Sequence, residues 1–415
     1  MIHYPEKLNT IFNKLNNYNI KPIIVGGYIR DFLLNIESKD IDIEIYGISS
    51  FNELENILKE FGNINIVGKS FGVCKLYYQD YDLDFSFPRK DNKIKPGHRG
   101  FDIKIESNID FKTATSRRDF TINSIGFDVI EKKILDPFNG INDLKNKILK
   151  AVDLNSFSED PLRVLRAVQF FTRFNLQIDK NLYNRCKKMV SEKMLDELPK
   201  ERIFEEIKKL LLFSKKPSIG FKLLKELGSD IYTNNLSVID EIAKQMTTNK
   251  QTNLILMLSG LCYNFTQTEA ENFIFKLTNE KKILNRVTTL INKHKKIDTI
   301  YEDGINNYML YKLATEVNIN ELLILSSSIY FSYNNSKIYK AGEEIYKRAK
   351  KLNILNNKLP PILMGKDILE LGLKPSPLFS EILHLAYEAQ MNGKFNNYID
   401  AKKWLKNYLK FSKKN

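Results

Sequence analysis

The stretch "VGGYIRDFLLNIESKDIDIEIYG", Val25 to Gly47, sets a glycine pair before a short helical segment and then three acids at every second position. In "DIDIEIYG" acids and isoleucines alternate, which predicts a strand with the isoleucines buried and Asp40, Asp42 and Glu44 on the other face. Two carboxylates that close repel each other unless a divalent cation holds them. Mg²⁺ takes one or two carboxylates together with substrate phosphate oxygens, and two ions can clamp an in-line phosphoryl displacement. An edge strand facing water has the same alternation, so the residues alone leave both readings open. Gly26 and Gly27 permit a tight turn and close backbone approach, and the helix after them offers free N–H groups to an anion. Arg30, one turn in, has the fork geometry that grips phosphate; a plain tight turn is the alternative. The pattern G-x-x-x-x-G-K-[ST] is absent, which excludes a P-loop, and without G-x-G-x-x-G a dinucleotide-dependent oxidoreductase is unsupported.

Working outward, residues 1–135 alternate strand and helix patterns. "KPIIVGG" precedes the opening stretch as a short apolar strand, and "SSFNELENILKEFG" follows it as an amphipathic helix behind a serine cap. "INIVG", "GVCKLYY" and "YDLDFSF" are further strands, giving a small α/β domain with a mixed sheet. Residues 89–102, "RKDNKIKPGHRGFD", are polar and basic with a Pro-Gly pair and read as a mobile, functional loop. From about 136 the pattern changes. "DPFNGINDLKNKIL" is a turn and a helix, and helical periodicity then dominates to the end without a fixed-period repeat. A late boundary falls near 355–365, at "LNNKLPPILMG".

The 415 residues allow two to four domains. No apolar run approaches the roughly 20 residues of a membrane span, and the first residues carry no signal-peptide pattern. Three isolated cysteines and four histidines argue against a zinc site or a disulfide framework and for a reduced, cytoplasmic setting. The net charge of +14 points to a polyanionic partner, most simply nucleic acid, and six lysines crowd the last fifteen residues.

Two more stretches carry chemistry. In "TSRRDFTINSIGFD", residues 115–128, two arginines and an aspartate lead into a small-residue segment and suit a triphosphate and a ribose, or an ordinary salt bridge. In "SEDPLRVLRAVQFF", residues 158–171, Ser158 is expected to cap a helix with Pro161 in its first turn, and Val164, Val168 and Phe171 to form its buried stripe. Asp160, Arg163 and Arg166 then follow at three-residue steps on a polar stripe, as ion-paired solvent-facing residues or as readers of a base edge. A carboxylate accepts from an exocyclic amine and an arginine donates to a bare ring nitrogen, a pair of groups that cytosine and adenine present and uracil and guanine do not.

Taken together and in this order, "VGGYIRDFLL", "DIDIE", "RRDFTINSIGFD", "DPFNGINDL", "EDPLRVLRAVQF" and "LPKERIFEEI" resemble the class II tRNA nucleotidyltransferases and bacterial poly(A) polymerases of the polymerase-β-like superfamily. "LMGKDILELGLKPSPLFSEIL" resembles their C-terminal module, while residues 213–355 carry no recognisable motif. The resemblance implies an α+β fold: a nucleotidyltransferase head (1–135), then an all-helical neck that selects the nucleotide (136–212), body (213–355) and tRNA-binding tail (356–415). It implies Asp40 and Asp42 as Mg²⁺-binding catalytic carboxylates and Asp84 as a third. Gly27 and Arg30 become triphosphate-binding positions, Arg118 a nucleotide-binding arginine and Asp119 a ribose contact. Asp160, Arg163 and Arg166 become the template that selects CTP and ATP. Gln169 departs from the arginine common in relatives, so no role is carried to it, and residues 89–102 fall where relatives have a loop implicated in A addition. The implied reaction is CMP and AMP addition to the tRNA 3′ end with release of pyrophosphate. Poly(A), A-only or CC-only addition are the alternatives within the family, and an RNA-binding protein with an inactive head is the alternative outside it.

Overall fold

The computed structural model describes all residues except 1, 49, 68–72, 94–100, 106–108, 232–235, 335, 337 and 413–415. The chain divides into two compact units, Met1–Tyr232 and Thr233–Asn415. The expected head and neck fall in the first unit, but its boundary lies past the one expected at 212, because helix Ser218–Leu227 packs against the helices before it.

Among the described residues of the first unit is a seven-stranded mixed sheet in the order β3-β4-β5-β2-β1-β8-β9. Its strands are β1 (Lys21–Val25), β2 (Asp40–Tyr46), β3 (Ile64–Val67), β4 (Val73–Tyr78), β5 (Tyr81–Ser86), β8 (Gly126–Asp128) and β9 (Lys133–Leu135), with β6 (Arg89–Lys93) and β7 (Phe101–Ile105) forming a separate antiparallel hairpin. β2 is antiparallel to β1 and parallel to β5. The strand alternation is obeyed closely. Ile41, Ile43 and Ile45 join Ile24, Leu83 and Phe85 in one core beneath the helices α1 (Asn9–Asn17), α2 (Gly27–Leu33) and α3 (Phe51–Leu58). Ser50 caps α3 by accepting from the Glu53 N–H, the serine cap expected there. On the opposite face, Ile23, Val25 and Tyr46 are covered by Ala114 and Phe111 of α4 (Phe111–Thr115), which leaves Asp40 and Asp42, at the start of β2, exposed. The segment expected to be an irregular loop at 89–102 instead contributes its ends to the β6–β7 hairpin, with Lys93 opposite Phe101. The alternating "FDIKI" outweighs the polar composition, and residues 94–100 lie outside the described residues.

The remainder of the unit is helical: α5 (Gly140–Lys145), α6 (Leu154–Phe157), α7 (Leu162–Arg173), α8 (Lys180–Ser191), α9 (Lys200–Phe213) and α10 (Ser218–Leu227), with β10 (Ile148–Leu149) and β11 (Gln177–Ile178) as a short parallel pair. The expected cap of α7 needs correcting. Ser158 ends α6, its hydroxyl donating to the Leu154 carbonyl, and it is Asp160 that accepts from the Leu162 N–H at 3.1 Å. The buried stripe of α7 contains Val164 and Val168 as expected, but Phe170 is buried where Phe171 is only half-buried.

The second unit comprises α11 (Ser237–Ala243), α12 (Lys250–Cys262), α13 (Gln267–Leu277), α14 (Lys281–Lys293), α15 (Lys296–Glu302), α16 (Asn307–Glu316), α17 (Ile319–Tyr333), α18 (Lys340–Lys351), α19 (Gly365–Leu369), α20 (Leu378–Met391) and α21 (Tyr398–Ser412). Every residue of α12 from Asn253 to Cys262 is buried, so it is the central helix, with α11, α14 and α17 against it. Residues 363–409 build a smaller core of their own around Ile368, Ile382, Phe395 and Leu405. Of the C-terminal lysines, Lys402 pairs with Glu370 and Lys403 with Asp400. Cys74, Cys186 and Cys262 are free and buried, and burial pushes their thiols up, to about 11 for Cys74 and about 12 for Cys186. No helix among the described residues is long and apolar enough to cross a membrane.

Candidate active site

The glycine pair sits where β1 turns into α2. Gly26 has φ +69° and ψ −124°, a backbone state only glycine adopts without strain. A Cβ there would lie 2.6 Å from Arg118 Nη1, so the missing side chain also makes room for that guanidinium. Gly27 meets only ordinary contact, with Arg30 Nη2. The steric demand therefore falls on Gly26 rather than on Gly27, the glycine expected at the triphosphate.

Next along the cleft are the carboxylates. Asp40 and Asp42 project from the same face of β2, and the register puts Asp42 opposite Asp84 and Asp40 opposite Asp82 on β5. The third expected carboxylate thus lies beside Asp42, its Oδ2 accepting from Lys75 Nζ at 2.7 Å. Crowding by protein raises the Asp42 carboxyl above its ordinary range; Arg118 opposes this, while Asp84 and Asp40 add to it. An acid held this way gains from a cation. Among the described residues no three His, Cys, Asp or Glu side chains close a metal cage. The donor set instead suits a hard divalent ion that completes its shell with water and substrate phosphate. Glu44, the next acid in the row, is fully buried, accepting from the Tyr46 hydroxyl at 2.7 Å and paired with Arg117 at 3.5 Å.

A cavity of about 530 Å³ opens beside Asp42. Gly26, Gly27, Arg30, Arg118, Asp119, Asp160, Arg163 and Arg166 line it, so the expected nucleotide-binding positions from three separate motifs converge on one space. Asn123, Ser86, Arg117 and Arg202 line it as well. With six arginines against three aspartates, the lining favours a polyanion.

Individual side chains differ in what they leave free. Arg30 is 5% exposed, with Nε and Nη2 on Asp31 Oδ1 at 2.8 and 2.6 Å, Nη1 on Asn123 Oδ1 at 2.7 Å, and its guanidinium over the rings of Phe170 and Phe174. It borders the cavity as a buried joint between α2 and α7. Arg118 is less committed, with Nη1 on the Asn123 carbonyl at 3.1 Å and Nε without a hydrogen-bond partner among the described residues. Asp119 Oδ2 accepts from Arg166 Nε and its Oδ1 from Asn123 and the Phe120 N–H. Burial works to raise its carboxyl, but Arg166 and Asn123 outweigh that and hold it below the carboxylate range. Asp160 Oδ2 accepts from Arg202 at 3.1 Å, and Arg163 donates to the Ser156 and Arg117 carbonyls at 2.8 and 2.6 Å. Both side chains are thus held in place at the cavity wall by protein contacts. Gln169 is buried, 2% exposed, and does not line the cavity.

Sequence reasoning passed over Arg202 and Asn123. Arg202 lay within the quoted "LPKERIFEEI", and only the packing of α9 on α7 brings it to Asp160. Asn123 is embedded in "RRDFTIN" with no spacing signal of its own.

Residues 23–150 match the Poly A polymerase head domain, and residues 175–229 match the probable RNA and SrmB-binding site of polymerase A. The chain is 35% identical over 211 residues to the CCA-adding enzyme of Francisella tularensis subsp. tularensis (strain FSC 198), a match spanning 50% of this chain and 55% of that protein. It is 30% identical over 345 residues to the CCA-adding enzyme of Francisella tularensis subsp. novicida (strain U112), covering 82% of this chain and 80% of that one. Among solved structures, the Bacillus stearothermophilus CCA-adding enzyme in complex with CTP superimposes with a TM-score of 0.70 at 19% identity, over 99% of this chain and 100% of that one, a likeness of fold. On the strength of the long match at 30% identity, together with the head-domain match over residues 23–150, the chain belongs to the CCA-adding enzyme family.

Proposed function

We propose that the chain is a template-independent RNA nucleotidyltransferase that adds CMP and AMP from CTP and ATP to the 3′ end of tRNA, releasing pyrophosphate, in the cytoplasm. The observation that carries this reading is the convergence of Asp42, Arg118 and the trio Asp160, Arg163 and Arg166 on one arginine-rich cavity. A metal-binding strand, a triphosphate-sized positive space and a base-reading helix edge are the three things such a reaction requires.

Asp40 and Asp42 would hold Mg²⁺, with Asp84 next to them. When bound, the ion lowers the charge barrier between an RNA 3′-hydroxyl and the α-phosphate and steadies the leaving pyrophosphate. Arg118, beside Gly26, neutralises the triphosphate. Asp160 accepts from the exocyclic amine of cytosine or adenine, and Arg163 and Arg166 donate to ring-nitrogen acceptors. Uracil and guanine would set a carbonyl against Asp160 and an N–H against an arginine, acceptor against acceptor and donor against donor. Nothing in this scheme requires a side-chain nucleophile, and positioning with charge neutralisation accounts for the catalysis. Gly27, Arg30 and Asp119 act by shaping the cavity wall, and the helical segments hold RNA through backbone contacts and shape.

The test is to supply each nucleoside triphosphate alone to tRNA lacking its last three nucleotides, and to tRNA lacking only the last, and to sequence the ends. Two C residues from CTP and then a single A from ATP are expected. A long A tract from ATP alone would replace this reading with poly(A) addition, and incorporation of nothing would favour an RNA-binding protein with an inactive head.

A further inference from the structure

We infer that Asn123 is a positioning residue for base selection, acting through Asp119 on Arg166. This rests on the proposal that the edge of α7 reads the base.

Asn123 is 6% exposed and joins two charged side chains of opposite sign. Its Oδ1 accepts from Arg30 Nη1 at 2.7 Å, and its Nδ2 donates to Asp119 Oδ1 at 2.9 Å. A guanidinium only donates and a carboxylate only accepts, so the orientation of this amide is set by its neighbours. No other side chain of that size does both. Aspartate would place two carboxylates in contact, and an aliphatic residue would leave a guanidinium and a carboxylate without their shared partner.

Beyond Asp119 the chain continues to Arg166, whose Nε and Nη2 lie 2.7 and 2.6 Å from Asp119 Oδ2. Arg166 has a second acid within reach: its Nη1 stands 3.9 Å from Glu206 Oε1. Glu206 is 4% exposed, and its Oε2 has no hydrogen-bond partner among the described residues. Arg166 is therefore suspended between two carboxylates, and only the one fixed by Asn123 holds it by short hydrogen bonds. At its other end the series is anchored on Arg30, which lies over Phe170 of α7 and Phe174, the residue that ends it. Without Asn123, Asp119 Oδ1 keeps only the Phe120 N–H, and Arg166 can shift toward Glu206, whose Oε1 Lys209 also holds at 2.7 Å, away from the place where Asp160 and Arg163 meet a base.

The experiment compares kcat/KM for CTP and UTP on tRNA lacking its last three nucleotides. Asn123→Ala is expected to lower the CTP-over-UTP ratio by about three- to tenfold, the size expected for coupling through one intermediate side chain. Adding Glu206→Gln, which weakens the competing acid, should restore part of the ratio. Discrimination between CTP and dCTP should stay as in the wild type. If Asn123→Ala does not fold, Asp119→Asn keeps the shape of the link, weakens its hold on Arg166 and must lower the same ratio. An equal fall for CTP and UTP, or loss of dCTP discrimination with the base ratio intact, would overturn the inference. A wild-type protein with no CTP preference at all would instead overturn the base-reading proposal beneath it.

Discussion

Two of the cavities lined by described residues, one in each unit, are of nearly equal volume: about 530 Å³ beside Asp42 and about 550 Å³ between the end of α20 and α16. Their linings have little in common. The first has six arginines and three aspartates, while the second is walled by amides and aromatic or apolar groups such as Asn307, Tyr311, Gln390, Met391 and Phe395, with no Lys, Arg, Asp or Glu. Space alone therefore does not mark a reaction site. In the first cavity arginines outnumber aspartates; Asp119 and Asp160 are paired with Arg166 and Arg202, while the Asp42 carboxyl is pushed toward its neutral form, so the excess positive charge and that one acid are what a ligand would meet. In the second, the polar groups satisfy the chain itself: the Gln390 amide bonds the backbone at Ile362 and Pro360, and Tyr308 donates to Glu388.

That contrast can be broken by experiment. The largest effect is expected at Asp42. Asp42→Ala should lower nucleotide addition by about 10⁴-fold or more, since the residue positions charge at the reacting phosphate. The melting temperature should hold or rise slightly, because Asp42 is exposed at its place on β2 and its carboxylate stands beside those of Asp84 and Asp40. A drop in stability together with retained activity would reverse the assignment. In the second unit the signs should exchange. Phe395→Ala removes a ring packed against Trp404 in the 363–409 core and should cost about 3–5 kcal/mol in denaturant unfolding, with the CTP-over-UTP ratio unchanged.

Gly26→Ala sharpens the comparison because it touches both kinds of cost. A left-handed φ and a Cβ pressed on Arg118 should lower stability by about 1–3 kcal/mol. Turnover should fall further than stability accounts for, by about ten- to a hundredfold, as Arg118 gives way. A pure stability loss, read by comparing kcat at a temperature where the variant is fully folded, would free Arg118 of its role. Tyr308→Phe is the smallest change: it deletes one half-buried hydroxyl bonded to Glu388 and should cost about 1 kcal/mol in the unfolding free energy, with nucleotide addition unaltered.

The same contrast governs what could be seen in the sequence. The acidic row of β2 was legible because strand geometry has a fixed period of two, so Asp40 and Asp42 had to share a face whatever surrounded them. Asp84 was legible only by resemblance, since its position beside Asp42 depends on which strand pairs with which. Glu44 obeyed the same period and yet belongs to the interior, because β1 and α4 close over that end of the strand. Arg30 and Asp119 carried the residue types of ligands, but their hydrogen bonds are spent within the protein, on Asp31, Phe120 and Asn123 and, across 93 and 47 positions of sequence, on Asn123 and Arg166. Side-chain partnerships of this kind have no periodic signature. Most of the second unit, up to about residue 355, offered periodicity and no motif, and its buried α12 follows from a helix that is apolar on every side.

At the centre of the account is the claim that Asp160, aimed by Arg202 and the start of α7, reads the exocyclic amine of the incoming base. The direct measurement is the CTP-over-UTP ratio of kcat/KM on tRNA lacking its last three nucleotides, for the wild type and for Asp160→Ala. A strong wild-type preference for CTP that falls by about 1–3 kcal/mol in the variant is the predicted result. A ratio that Asp160→Ala leaves untouched would contradict it.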